Sequence, residues 1–418
     1  MNTQSDVVII GGGIIGLCTA HYLQRGGARV TIIEKGKVGQ ACSLKNAGFI
    51  TPSHFVPLAA PGIIAKGLKW LLNPESPFYI KPRLNLDLLS WLWKFRGAAN
   101  EHQVHKAAPV LYNLNMASSA LYDELVEREG LRFGLEHRGI LMLHNSPQGE
   151  KANREEAAYG QELGLRVRIL SRDEVNALDP GIQTVARGAV HFEDDSHLIP
   201  EQFIEAMKNH LLKHGVAMKE ETEVVGVKTS GTKVTGVQTS RGIVQGDTFV
   251  LSGGSWSPGL AKGLGLKLPL QPGKGYSVNI LKPERMFRTP LILTEARVAI
   301  TPMGDFIRFA GTMELAGLDL SINRRRVEAI LKAVPRYLSG FQPTTLTRSE
   351  PWAGLRPCTP DGLPYIGRFR TIQNLVVATG HAMMGVSLAP ITGKLVSELI
   401  LTNSPSMDIS PLDVERFS

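Results

Sequence analysis

Cysteine is scarce in this chain. Only Cys18, Cys42 and Cys358 occur in 418 residues, and no two of them stand at metal-ligand or redox spacing. No disulfide framework and no metal site is expected, and so sparse a set suits a reducing compartment. Long apolar runs are also lacking. No stretch reaches the ~18 unbroken apolar residues that a spanning helix needs. No charged-then-apolar-then-small leader precedes the first strand. The expected location is therefore cytoplasmic, soluble or peripheral on the cytoplasmic face of the inner membrane. Internal repeats and low-complexity tracts are missing too. Charge of one sign is not concentrated: 46 basic and 38 acidic residues leave a net charge of +8. The one dense run, Arg324, Arg325 and Arg326, reads as a solvated helix face. A nucleic-acid surface is not expected, whereas anionic substrates or an anionic membrane surface suit the modest excess. With 43% hydrophobic and 20% charged residues the chain is globular, and its length suits two or three domains.

The first informative stretch is VVIIGGGIIGLCTAHYLQRGGARVTIIEK, Val7 to Lys35. Val7 to Ile10 form the continuous apolar run of a buried parallel strand. Gly11, Gly13 and Gly16 follow as G-x-G-x-x-G: a tight turn, a close backbone approach to a pyrophosphate, and close helix–strand packing. Ile14 and Ile15 open the helix, whose N-terminal amides face phosphate. A second strand, Arg29 to Ile33, ends in Glu34, where an acid bonds a ribose hydroxyl. The order of these parts predicts dinucleotide binding. Glu34 disfavours a 2′-phosphate and hence NADP.

Beyond Lys35 the pattern is interleaved. GQACSLKNAGFITPSHFVPLAAPG is loop, rich in Gly, Ser and Pro. Residues 63–95 hold Trp70, Trp91 and Trp93 among lysines and arginines. They form either a helical region packed on the core or an interfacial, membrane-touching element with aromatic anchors. Leu111, Leu114, Leu121 and Leu125 mark a helix within residues 105–129. Residues 138–144, 188–192, 220–228, 233–240, 248–252, 278–280, 298–301 and 306–309 read as strands. Residues 150–163, 171–180, 200–214, 324–338 and 387–401 read as helices. Strand–glycine–helix units stand at both ends, so one domain is assembled from separated segments with another inserted between them.

Five stretches carry a resemblance: VVIIGGGIIGLCTAHYL with Glu34, SLKNAGFITP, VLSGGSWSPGL, WAGLRPCTPDGLPYIGR, and VVATGHAMMGVSLAPITGKLVSELI. In this order they resemble the flavin amine oxidoreductase family of D-amino-acid oxidase, glycine oxidase and sarcosine oxidase. NAGFITP, LAAPGIIAKGLKWLL and PGKGYS are most similar to bacterial D-amino acid dehydrogenases. The resemblance implies an α/β fold: a Rossmann-like FAD-binding domain from residues 1–53, 190–265 and 350–418. An inserted antiparallel-sheet (α+β) substrate domain would comprise 96–189 and 266–349, with 54–95 a Trp-rich insertion.

The resemblance also implies non-covalent FAD. Gly11, Gly13, Ile14, Ile15 and Gly16 would face the pyrophosphate, and Glu34 and Lys35 the adenosine. Ser43, Asn46, Ala47 and Gly48 would lie along pyrophosphate and flavin, with Val224 or Val225 at the adenine and Ser252 and Gly253 nearby. Gly354, Gly380, His381, Met383, Met384, Gly385, Val386 and Ser387 would surround the flavin, where a helix N-terminus suits anionic reduced flavin.

For substrate, the implied set is Arg356, Tyr276, Met313 and His381. Arg356 in GLRP would bind a carboxylate bidentately. Tyr276 would donate to the same carboxylate, close the pocket, or simply pack. Met313 would line the pocket or fill core. His381 is a packed histidine, with proton carriage as the alternative. The implied activity is oxidative deamination of D-amino acids to 2-oxo acids and ammonia, with electrons passed to a quinone or dye. An oxygen-using oxidase, or a catalytic subunit of a heteromeric amine dehydrogenase, are the alternatives. Implied partners are the amino acid, the acceptor and a membrane surface, with no nucleic acid; oligomeric state is left open.

Overall fold

Two sheets organise the chain. The structure, a computed structural model, describes residues 6–65, 67, 75–281, 283, 285–344 and 347–417. The first sheet has six strands in the order Tyr365–Phe369, Ile372–Thr379, Thr248–Leu251, Asp6–Ile10, Arg29–Ile33, Ala217–Lys219. All pair in parallel except Tyr365–Phe369, which runs antiparallel to its neighbour. The alternation of the first strand explains its two-sided burial. Val7 and Ile9 join the core beneath helices Ile14–Arg25, Pro200–Lys213 and Ala389–Leu401. Val8 and Ile10 join a second core with Val234 and Val237 of a three-stranded antiparallel sheet.

The second sheet has nine strands. Its path runs Trp352–Cys358, Gln271–Leu281, Phe306–Leu315, Val298–Met303, Leu291–Leu293, Ile140–His144, Gly188–Phe192, Val167–Ser171, with Phe78–Ile80 paired to the third of these. The boundary expected between residues 189 and 190 falls inside Gly188–Phe192, all of which belongs to this second sheet. Strand Gln271–Leu281 is much longer than the three residues its apolar pattern suggests, because Pro272, Gly273 and Gly275 hide it. Helix Arg324–Ala333 is shorter than expected and gives way to a 3-10 turn at Val334–Arg336, which contains Pro335.

Caps fix the helix ends. Ser171 and Glu174 form the reciprocal capping box of helix Arg172–Leu178. Asn85 accepts from Leu88 N at 2.8 Å and starts helix Leu86–Ala98. On that helix Trp91 is buried, stacks on Phe95 and donates its Nε1–H to Cys358 O at 2.9 Å. Trp93 faces outward, 74% exposed. Trp70 lies outside the described residues. Leu111, Leu114, Leu121 and Leu125 are all buried on helix Glu101–Glu127.

Helices Ile14–Arg25 and Ala389–Leu401 pack closely. A β-carbon on Gly393 would sit 2.5 Å from the backbone carbon of Cys18. A backbone neighbour cannot swing aside as a flexible side chain can, so the two helices would have to part. Gly393→Ala is expected to cost about 1–3 kcal/mol of stability, read from denaturant unfolding of the variant against the parent.

Candidate active site

A single cavity of about 1100 Å³ runs from the glycine turn of the first sheet to the face of the second. At one end, helix Ile14–Arg25 begins at Gly13 without a side-chain cap of its own. Its first amide, Ile14 N, donates to Ser43 Oγ at 3.2 Å, and the free N-terminus opens on the cavity with Gly11, Gly13 and Ile15. The glycines are demanded by contacts. Gly11 has φ +110°, and a β-carbon there would lie 2.6 Å from Ser252 O. A β-carbon on Gly16 would lie 2.1 Å from Gly11 O, so Gly16 serves helix–strand packing and does not reach the cavity. Glu34 accepts from Gly12 N at 2.8 Å through one oxygen and from Gly36 N at 3.0 Å through the other. Each oxygen keeps a lone pair, and the carboxylate lines the cavity with Lys35, Val224 and Val225.

The loop after the second strand is strapped to the second sheet. Arg308 Nη1 donates to Asn46 O at 2.8 Å, and Thr301 Oγ1 to Ala47 O at 2.7 Å. Asn46 Oδ1 accepts from Gly48 N at 2.8 Å. Asn46, Ala47 and Ser43 line the cavity, as do Ser252, Gly253, Gly354, Met383, Met384, Gly385 and Val386. Gly48, Gly380 and Ser387 do not: Gly48 and Gly380 are turn glycines with φ +77° and +84°. Ser387 accepts from Thr51 N at 2.9 Å and donates to Asn115. A 3-10 turn at Ala382–Met384 precedes helix Ala389–Leu401, which starts two residues later than its sequence suggests.

At the second sheet, strands Gln271–Leu281 and Trp352–Cys358 pair Gly275 with Gly354. The Arg356 guanidinium lies on Gly275, where a β-carbon would sit 2.0 Å from Nη1. Arg356 Nη1 donates to Thr312 O at 2.8 Å, and Thr312 holds an unusual φ of +64°. Arg356 has no carboxylate partner among the described residues, and burial lowers its pKa from the usual guanidinium value. Met313 and Tyr276 also line the cavity. The Tyr276 hydroxyl, however, lies beside the Glu314 carboxylate and accepts from Asn323 N at 3.3 Å. Its phenol is thus committed to a buried network of Lys274, Glu314 and Arg326, and what it offers the cavity is its ring. Burial and the Glu314 carboxylate push its pKa up. His381 is buried, with Nε2 3.0 Å from Thr392 Oγ1, and burial lowers its pKa to about 3. It is therefore neutral.

Several cavity residues carry no sequence signal. Glu156 stands mid-way along a polar helix, Arg297 in a turn, and His54 in a loop. Thr312 is apolar-strand sequence, made distinctive only by its backbone. Cys42, in contrast, adjoins the Ser43 motif and lies near Gly354 and Arg356.

This arrangement is that of a nucleotide-cofactor oxidoreductase, with an unpaired guanidinium on the cavity wall. The chain belongs to the FAD dependent oxidoreductase family, whose model matches residues 6–399. It is 31% identical over 422 residues to a D-amino acid dehydrogenase of Granulibacter bethesdensis, covering 99% of each chain. It is 32% identical over 421 residues to a D-amino acid dehydrogenase of Vibrio vulnificus, covering 98% of this chain and 99% of that one. A glycine oxidase from Bacillus cereus shares the fold, with a TM-score of 0.76, 25% identity and 96% of each chain covered. The cofactor is FAD, as the family requires. The helix N-terminus at Gly13, Glu34 and the size of the cavity fit it.

Gly275→Ala is expected to lift the Arg356 guanidinium from its seat while leaving the glycine turn intact. Flavin content should stay at the parent level, and kcat/KM for carboxylate substrates should fall about 10²-fold. Steady-state kinetics beside the flavin absorption spectrum checks both halves.

Proposed function

We propose that this chain is an FAD-dependent D-amino acid dehydrogenase. One observation carries the substrate class: a half-buried guanidinium, Arg356, faces the cavity with no anion of the described protein to pair with it. An unpaired buried cation is costly, and a substrate carboxylate relieves that cost. Arg356 anchors the amino acid, while Met313 and the Tyr276 ring shape the apolar wall beside it. When bound, FAD supplies the two-electron acceptor for the Cα hydride. The protein supplies orientation and water exclusion. The product imino acid hydrolyses to the 2-oxo acid and ammonia. The names of the two dehydrogenase relatives support the D-amino acid reading.

Electrons leave to a quinone or dye. Support comes from the outer face of residues 84–96. Leu84, Leu86, Leu89 and Trp93 are 105%, 84%, 55% and 74% exposed, and Lys94 and Arg96 accompany them. An apolar face with basic flanks suits an anionic bilayer, where quinones reside. Trp91, Leu92, Phe95 and Arg96 of the same helix line the cavity, so this face adjoins the site. Among the described residues no helix is long and apolar enough to cross a membrane, so the contact is a surface one.

Three experiments test this reading. Anaerobic mixing should bleach the flavin with D-amino acids but not with their L-enantiomers, and a soluble quinone should restore the colour faster than air. Rapid recovery in air with peroxide would make the protein an oxidase instead. Arg356→Leu should lower kcat/KM at least about 10²-fold, equivalent to ~3 kcal/mol. Wild-type kinetics for that variant would remove the anchor. Separately, the intact protein should float with anionic liposomes, and a Leu89→Glu, Trp93→Glu double variant should not. An intact protein that does not float would remove the membrane contact.

A further inference from the structure

One end of the cavity carries polar side chains that neither the cofactor cradle nor the Arg356 anchor uses. His54, Glu156 and Arg297 line it. Behind them runs a hydrogen-bonded chain. His54 Nδ1 lies 3.3 Å from Ser53 Oγ. Ser53 Oγ donates to Asp195 Oδ2 at 2.6 Å, and Ser53 N donates to Asp195 Oδ1 at 3.0 Å. Asp195 is wholly buried, and no cation pairs with it among the described residues. The strand pair Phe49–Ile50 with Ser196–His197 brings the two segments together.

The direction of these bonds sets the tautomer. With Asp195 ionised, Ser53 gives its one hydroxyl proton to that carboxylate. It therefore accepts from His54 Nδ1–H, which leaves Nε2 as the accepting nitrogen. The bonds link a residue of the cavity wall to a buried carboxylate.

An amino acid enters as a zwitterion. Its ammonium must lose one proton before the nitrogen electron pair can form a C=N bond. We propose that His54, Ser53 and Asp195 form a proton relay that takes this proton. The substrate N–H bond breaks as Nε2–H forms. The Nδ1 proton passes to Ser53 Oγ, and the Ser53 proton passes to Asp195 Oδ2. Imidazole and hydroxyl end neutral, as they began, and one carboxylate becomes a carboxylic acid. No electrons move in this step. The proposal rests on the amino acid reading given above.

The surrounding charges suit each member to its part. Burial, aided by the Arg297 charge, lowers the His54 pKa to about 4, so the imidazole conducts a proton without keeping it. Burial raises Asp195 to about 8 against the Ser53 hydrogen bonds, and Asp194 and Glu156 add to the rise. Asp194 is itself paired with Arg166 at 2.7 Å. Burial likewise raises Glu156 to about 7, against the Arg297 charge. The store at the end of the chain is therefore empty only at alkaline pH, and the relay takes protons faster as pH rises through about 8.

Two readouts test the relay in the holoenzyme. Without substrate, difference infrared spectroscopy should show a carboxylic-acid carbonyl band that vanishes as pH passes about 8 and is missing in Asp195→Asn. With two D-amino acids of different amine pKa, anaerobic bleaching should show an acid limb near that same pH for both. Asp195→Asn and Ser53→Ala should slow bleaching about 10²-fold and lose the shared limb, and Ser53→Thr should restore it. A parent limb that simply tracks each substrate amine, or a parent-like profile for Ser53→Ala, overturns the relay. If no amino acid bleaches the flavin, the substrate reading fails. The infrared band then decides on its own whether Asp195 titrates through this chain, and a missing band overturns that too.

Discussion

The half-buried guanidinium of Arg356 is the constraint around which the cavity is arranged. A guanidinium does not shed its charge to escape burial, so its surroundings must accommodate it. One strand does so by giving up a side chain: Gly275 provides the floor beneath the guanidinium. The strand from Phe306 to Leu315 provides a carbonyl at Thr312, at the expense of a strained backbone. Lys274 and Tyr276, either side of Gly275, are held by the Glu314 and Arg326 network. The seat of the arginine is therefore rigid on both flanks, as an anchor needs to be.

The same logic explains which parts could be read from sequence. The glycine turn was legible because its residues are consecutive and each has a local job: Gly11 at a positive φ, Gly16 against the strand, Glu34 a strand later. Arg356 was legible through its motif. Tyr276 was legible only in part. Its place on the cavity wall follows from KGYS, but the fate of its hydroxyl depends on Glu314 and Asn323, some forty residues away. The strand that carries it was under-read, since Pro272, Gly273 and Gly275 mimic a turn when their cross-strand partners are unknown. Those glycines lack side chains because Met313, Cys358 and Arg356 occupy the space. No local pattern encodes that.

The acidic end of the cavity was out of reach for the same reason. Of the consecutive acids Glu193, Asp194 and Asp195, two meet arginines: Asp194 pairs with Arg166 and Glu193 lies near Arg168. Asp195 turns inward to Ser53. A run of three acids gives no hint which one is buried. The fold separates them, because the short strand Ser196–His197 must pair with Phe49–Ile50 and carries its preceding residue inside with it.

Arg356 on the cavity wall and Asp195 behind it thus present opposite problems with one solution. At Arg356 a permanent charge is kept and left without a partner, so that a ligand anion completes it. At Asp195 a titratable charge is buried with only neutral donors, so that it prefers its proton. Between them the histidines are neutral: His381 bonded to Thr392, and His54 facing Arg297. A zwitterion bridging this space would meet a cation at its carboxylate and neutral or proton-accepting groups at its amine. On the proposed reading, that polarity would orient the substrate before any chemistry and favour the neutral amine over the ammonium. The proposed substrate class thus rests on the electrostatic asymmetry of the cavity as much as on any single side chain.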